Sequence, residues 1–377
     1  MNKFVKYNYI SLLLIMLCTC MVLTGCKDKT VKVTTPLKTT SIPTIKPTEV
    51  PVVQPDNETN IDSYLKSINF MGTVLISHKN EISYEKSFGL ANKELKTPNQ
   101  NNTIYEIGSD TKQFVATGIL LLQEEGKLSI TDLVSKYLPD FKNGDKITLK
   151  NLLNMNSGIV DYMQILNDES GTTDFYYKNY DKDYVYNLIK NLKLSFVPDE
   201  KKPNFTYSNS NYYLLAKIIS IVTKESYEDF LTQKILTPLN MKNTSFDLNN
   251  CTGVGYLANG KPCKRFSKEL VYGCGAMAST TEDLKLWVDA LMGGKVLSSK
   301  SMDIMFECVK PEGSDSGYGC GWFIDGDVRT HNGNTMSYNS MIFYNTKTDL
   351  CIICLSNVNW YTVNATSVAT SINDIWK

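Results

Sequence analysis

Periodicity changes along this chain in an order that leaves few folds open: strand-like patterns stand at both ends of its body, and helical ones fill the middle. Residues 71–90 read as two strands meeting near Lys79-Asn80-Glu81, the first over Gly72-Thr73-Val74-Leu75-Ile76. From Thr111 to Gln123 apolar residues recur at helical spacing, with Gly126 as a stop. Helical patterns then dominate to about residue 240, including Tyr212 to Val222 and Tyr227 to Leu236, and another helix is expected from Thr281 to Met292. After Gly317 strands return, before a helical tail from Val363 to Trp376. Strands contributed by both ends around a helical insertion predict a mixed α/β (α+β) fold. Its sheet would be drawn from about 61–105 and 260–377, with an all-α lobe at about 110–255. A cleft between such layers is where a substrate site is expected. There is no internal repeat.

The first 60 residues read differently. Lys3 and Lys6 precede an apolar run from Ile10 to Leu23, shorter than the ~20 helical residues that span a bilayer. A basic start followed by a short apolar stretch predicts a secretory signal over residues 1–25. It ends in Leu23-Thr24-Gly25-Cys26, which resembles the lipobox of bacterial lipoproteins. That resemblance implies cleavage before Cys26, diacylglycerol on its thiol, and a tether to the outer face of the cell membrane; release as a secreted enzyme is the alternative. Residues 26–60 hold Pro36, Pro43, Pro47, Pro51 and Pro55 among threonines and lysines, an extended linker that would carry the body, 61–377, out into the cell wall.

Charge and cysteine exclude several functions. Lys+Arg and Asp+Glu balance at 39 each, with Arg265 and Arg329 the only arginines, so there is no footprint for nucleic acid. Two histidines, His78 and His331, nearly exclude a His-built zinc site. Seven of the ten cysteines lie between Cys251 and Cys354. Outside the cell Cys251 and Cys263 could close a short disulfide loop, but the odd count leaves one thiol free and connectivity stays open. Cys351 and Cys354 form C-x-x-C inside an apolar strand, where positions i and i+3 face opposite ways, so neither a redox pair nor a metal site is expected.

A serine hydroxyl needs a base to become a nucleophile, and lysine can be that base where burial favours its neutral amine. Ser-x-x-Lys on a helix puts both groups on one face. The chain has three copies. Ser63/Lys66 sits on a short amphipathic start, where a solvated lysine is expected, and Ser83/Lys86 sits in a strand. Ser109/Lys112 alone opens a long apolar helix, with Gly108 in front to admit close backbone approach. The competing reading is an Asp110/Gln113 capping box with Ser109 merely ahead of it. Tyr207-Ser208-Asn209 precedes the next long helix: a phenol able to relay protons and an amide able to hold a substrate carbonyl. Tyr177-Lys178-Asn179 is a second, surface copy of that pattern. His331-Asn332-Gly333 is the only H-x-G, and glycine in a strand marks close approach by a ligand or another backbone.

In this order and spacing the three elements resemble the serine β-lactamase/penicillin-binding superfamily, in the branch of class C β-lactamases, D-Ala-D-Ala carboxypeptidases, D-aminopeptidases and related esterases. Ile107-Gly108-Ser109-Asp110-Thr111-Lys112-Gln113-Phe114, Leu152-Leu153-Asn154-Met155-Asn156-Ser157-Gly158, Gly319-Cys320-Gly321-Trp322 and Leu355-Ser356-Asn357 carry the likeness further, from about residue 61 to the C-terminus. It implies an antiparallel sheet flanked by helices plus an all-α domain, with the site between them. It also implies Ser109 as acylated nucleophile, Lys112 as base, Tyr207 as proton shuttle, and Asn209, His331 and Gly333 as substrate-binding. Backbone N–H groups of Ser109 and Asn334 would form the oxyanion hole, and no cofactor or metal is called for. H-x-G in place of K-T-G argues against a dedicated β-lactamase. Arg329, two residues before His331 and on its strand face, is a candidate cation for a substrate carboxylate. The expectation is a cell-envelope serine hydrolase of D-amino-acid peptides or esters; the alternatives are a class C-like β-lactamase and a noncatalytic binding or sensing lipoprotein.

Overall fold

The computed structural model describes residues 55–199, 201–310, 314–359 and 364–376. The expected signal segment, Cys26 and nearly all of the expected linker lie outside the described residues. The linker's far boundary moves: helix α1 runs Pro55–Ser67, so the folded body begins before residue 60. Proline is tolerated in a helix's first turn, where its missing N–H has no partner to lose. Ile61 and Leu65 of that helix are fully buried, which ties the segment to the body.

Seven strands make one antiparallel sheet. In chain order they are β1 (Gly72–His78), β2 (Glu81–Phe88), β5 (Gly317–Tyr318), β6 (Phe323–Asp325), β7 (Val328–Asn334), β8 (Asn339–Asn345) and β9 (Leu350–Ser356); a separate two-stranded ladder joins β3 (Tyr105–Glu106) to β4 (Ala278–Ser279). The sheet order is β2-β1-β9-β8-β7-β6-β5, so the first and last parts of the chain meet at β1 and β9, with Gly72 opposite Ser356. Side chains alternate between two cores. Val74, Ile76, Ile352 and Cys354 face Ile61, Leu65, Val368 and Ile372 of α1 and the C-terminal helix α6 (Ala365–Trp376). Leu75, Ile342, Ile353 and Cys351 face the opposite core, which runs without a break into the helical part of the chain. Cys351 and Cys354 therefore point to opposite faces, and both thiols are free. Cys251 and Cys263 are free as well, contrary to the disulfide considered from sequence; Cys263 Sγ lies 3.2 Å from the Tyr177 hydroxyl instead.

Among the helices behind the sheet are α2 (Thr111–Glu124), α3 (Tyr162–Ser170), α4 (Asn209–Thr223) and α5 (Thr281–Met292). Helix α2 is buried along nearly its whole length, and Phe114 stacks on Trp287 of α5 with centroids 4.4 Å apart. A helix apolar on all sides needs such enclosure. The result is a rigid support for whatever stands on its first turn.

Candidate active site

The chain leaves β3 and turns through Gly108-Ser109-Asp110 into α2. Gly108 adopts φ +48, and a Cβ there would stand 3.0 Å from the Asn334 backbone nitrogen; both facts call for glycine. One turn on, Lys112 is fully buried. Its Nζ stands 2.8 Å from Ser109 Oγ, 2.9 Å from Asn209 Oδ1 and 2.8 Å from the Cys274 carbonyl oxygen; the last two can only accept, whereas the hydroxyl can also donate. The other two Ser-x-x-Lys copies lead elsewhere. Lys66 is 69% exposed, and Lys86 pairs with Glu58 and Asp62.

Asn209 begins α4 and is held at both ends. Its Nδ2 donates to Asp161 Oδ2 at 2.9 Å while its Oδ1 serves Lys112. Asp161 also caps α3, accepting from the Met163 N–H at 3.0 Å. Tyr207 lies parallel to Phe323, 6.2 Å between ring centroids, with Lys112 Nζ 5.0 Å from its own centroid. Burial raises the Tyr207 phenol's pKa, and the neighbouring Lys112 and Ser109 oppose that rise.

The capping box read from sequence does not form. Asp110 makes no cap bond to its helix, and Gln113 accepts from the Trp287 indole N–H at 2.8 Å. Asp110 instead turns into the interior, where it accepts from Ser340 Oγ (2.6 Å) and stands 3.6 Å from His331 Nδ1. His331 is 1% exposed. Its Nδ1 lies 2.9 Å from the Asn332 carbonyl oxygen, which can only accept, so Nδ1 carries the hydrogen and Nε2 accepts from the Tyr318 hydroxyl at 3.0 Å. Burial pushes His331 down and Asp110 up, each against its charged form, while their proximity to one another opposes both shifts. His331 thus supports the site from behind, where sequence reasoning expected it against substrate.

Two further expectations change. A Cβ on Gly333 would fall 1.9 Å from the Ile107 carbonyl oxygen, so this glycine admits another backbone and not a ligand. Arg329 donates to the carbonyl oxygens of Gly326 (2.6 Å) and Val328 (3.0 Å) and lies over the Phe306 ring. It is absent from the wall of the cavity at Ser109, and the geometry gives its carboxylate role no support.

That cavity, about 230 Å3, is lined by Ser109, Asn209 and Asn334 together with Met163, Tyr176, Phe266, Val271, Cys274 and Met336, among others. Asp161, the Cys274 carbonyl and the aromatic wall escaped the sequence reading. Only Asp161, a helix-cap residue type just ahead of an apolar pattern, left a local signal. Among the described residues no group of three His, Cys, Asp or Glu could hold a metal. A buried amine on a serine oxygen, flanked by a phenol and an amide at a cavity wall, is an arrangement able to carry out acyl transfer.

Comparison with known proteins agrees with this geometry. The Beta-lactamase family profile matches residues 58–375. PbpX of Bacillus subtilis (strain 168), which bears a penicillin-binding protein's name, is 32% identical over 323 residues, covering 84% of this chain and 78% of PbpX. Protein flp of Staphylococcus aureus (strain NCTC 8325 / PS 47) is 32% identical over 305 residues, and the match spans 76% of this chain but only 59% of flp. The crystal structure of FmtA from Staphylococcus aureus superposes with a TM-score of 0.70 at 27% identity, over 88% of this chain and 92% of FmtA.

Proposed function

Because this chain belongs to the Beta-lactamase family, within the penicillin-binding-protein-like serine hydrolases, we propose that it hydrolyses D-amino-acid peptides, amides or esters of the cell wall through an acyl-enzyme on Ser109. The observation that supports this most is the 2.8 Å contact between Lys112 Nζ and Ser109 Oγ, with both remaining Nζ donors satisfied by Asn209 and Cys274. The lysine is thereby aimed at one oxygen. In the first step Ser109 Oγ bonds to the substrate carbonyl carbon as its proton passes to the lone pair of Lys112 as the free amine, whose two N–H groups stay on Asn209 and Cys274. Tyr207 relays that proton to the leaving nitrogen or oxygen as the C–N or C–O bond breaks. Water then attacks the ester, and its proton returns to Ser109 by the same route. The developing oxyanion would be held by the backbone N–H groups of Ser109 and Asn334, next to which the Gly108 turn is packed. Anchoring at Cys26 would place the enzyme on the extracytoplasmic face of the membrane.

The test is intact-mass spectrometry with benzylpenicillin over time. A stable adduct on Ser109, absent in Ser109→Ala, is the expected result. Penicillin left intact would move the assignment to an esterase or amidase, and consumption without an adduct would favour the β-lactamase alternative. Ser109→Ala and Lys112→Ala are each expected to lower turnover at least about 1,000-fold. Wild-type rates in either variant would sink the assignment of Ser109 and Lys112, whereas absence of any covalent serine labelling would support the noncatalytic reading.

A further inference from the structure

Taking the acyl-enzyme reading as its premise, we infer that this site accepts acyl donors uncharged on both sides of the scissile bond, esters or amides with an apolar side chain, in preference to peptides ending in a free carboxylate. The cavity wall carries the argument. Met163, Tyr176, Phe266, Val271 and Met336 make it apolar, and no charged side chain is among the described residues that line it. Tyr176 and Phe266 stack nearly parallel, centroids 4.3 Å apart and planes 9° from each other, which gives an aromatic wall.

The buried and half-buried cations beside the site are engaged elsewhere, and Lys178 and Lys264, close to the aromatic pair in sequence, are exposed and absent from the cavity wall. Lys112 is held by Ser109, Asn209 and Cys274; Arg329 bonds to the Gly326 and Val328 carbonyls; Arg265 pairs with Glu106 at 3.5 Å. His331 is buried behind the wall with both ring nitrogens engaged. None of the internal residues outside the description (200, 311–313 and 360–363) is Lys, Arg or His. A carboxylate entering this cavity, benzylpenicillin's included, would be desolvated with no partner, so acylation by penicillin is expected to be slow, whereas an apolar side chain gains from leaving water.

The experiment compares N-acetyl-D-alanyl-D-alanine with its C-terminal amide and methyl ester, then N-acetyl-D-phenylalanine methyl ester with the D-alanine analogue, on the full chain and on Phe266→Ala. We expect kcat/KM to be at least about tenfold higher for the amide and ester than for the free acid, and about tenfold higher for D-phenylalanine than for D-alanine. Phe266→Ala removes most of the second preference. A free acid turned over as well as its amide, or no gain from the aromatic side chain in the wild type, would overturn the inference. Acetylation of Ser109 by p-nitrophenyl acetate, read by mass, separates the two layers. A labelled Ser109 with a carboxylate preference sinks this inference alone, and an unlabelled Ser109 sinks the hydrolase reading and this inference with it.

Discussion

At Asn209 one amide group serves two masters: Lys112 donates to its oxygen and its nitrogen donates to Asp161. Asp161 is therefore a positioning residue, fixing which end of the amide faces the lysine. Asp161→Ala frees that amide and removes the cap of α3, while Asp161→Asn, with a single acceptor oxygen, can keep the bond from Asn209 Nδ2 at the expense of the one from the Met163 N–H. We expect Asp161→Ala to lower kcat about tenfold, the equivalent of one lost hydrogen bond, and Asp161→Asn to restore most of it. Equal kcat in the two variants would count against the role. Glu106, three residues before Ser109, offers a separate test. It is 3% exposed, its Oε1 has no hydrogen-bond partner, and burial pushes its carboxyl up to about 7 despite Arg265 nearby. Raised above its unfolded value of 4.5, the group binds an extra proton in the native state across that window, so stability falls as pH rises through it. Glu106→Gln lacks this penalty. Its stability relative to wild type is expected to improve between pH 4.5 and 8, by on the order of 3 kcal/mol at most, in denaturant titrations at each pH; a constant difference would refute the assignment.

Strand β7 and the turn ahead of α2 touch through their backbones, since Gly333 leaves no room between its Cα and the Ile107 carbonyl. Gly333→Ala must part the two elements, and with them Asn334 from Ser109. We expect a loss of about 2–4 kcal/mol of stability, measured by thermal unfolding, and a fall in kcat that added substrate does not rescue. A variant as stable and active as wild type would show that the contact relaxes freely. What could be read from sequence follows the same division between local and distant causes. Ser109 and Lys112 were legible because one turn of helix brings i and i+3 together whatever surrounds them. The ends of α5 were legible too, Thr281 to Met292, with Thr280 accepting from the Asp283 N–H as its cap. His331 was not, because its surroundings, Tyr318 and Asp110, arrive from other elements and decide that it is buried. For Arg329, strand alternation gave the face but not the direction of a long side chain, which bends back to Gly326. The tentative disulfide failed likewise, spacing being silent on whether two thiols meet. The cavity wall was illegible for the plainest reason: Met163, Tyr176, Phe266 and Met336 lie scattered over more than half of the body, and only the fold assembles them.

In the whole molecule the two faces of the sheet divide labour. Ser109 and α2 belong to one side, while α1 and α6 close the other, with Asn57 Nδ2 reaching the Trp376 carbonyl oxygen at 3.5 Å. Pro55, where the described chain begins, therefore enters on the face away from the cavity. The proposed anchoring at Cys26 concerns the chain ahead of α1, outside the described residues. The energetics of the anchor set the expected readout. One acyl chain gives only marginal, reversible membrane binding, whereas the two chains of a diacylglycerol hold firmly. Wild-type protein expressed with its full N-terminus is expected in the membrane fraction after a high-salt wash, released by detergent. Cys26→Ala is expected to leave that lipid-bound pool, appearing in the medium or as uncleaved precursor, and to keep wild-type kcat/KM once purified, because α1 and everything after it are unchanged. Wild-type protein found free in the medium would show that Cys26 carries no lipid and that the enzyme reaches its substrate as a secreted protein; Cys26→Ala protein still washed-membrane-bound at its processed mass would show that something other than a lipid on Cys26 holds it.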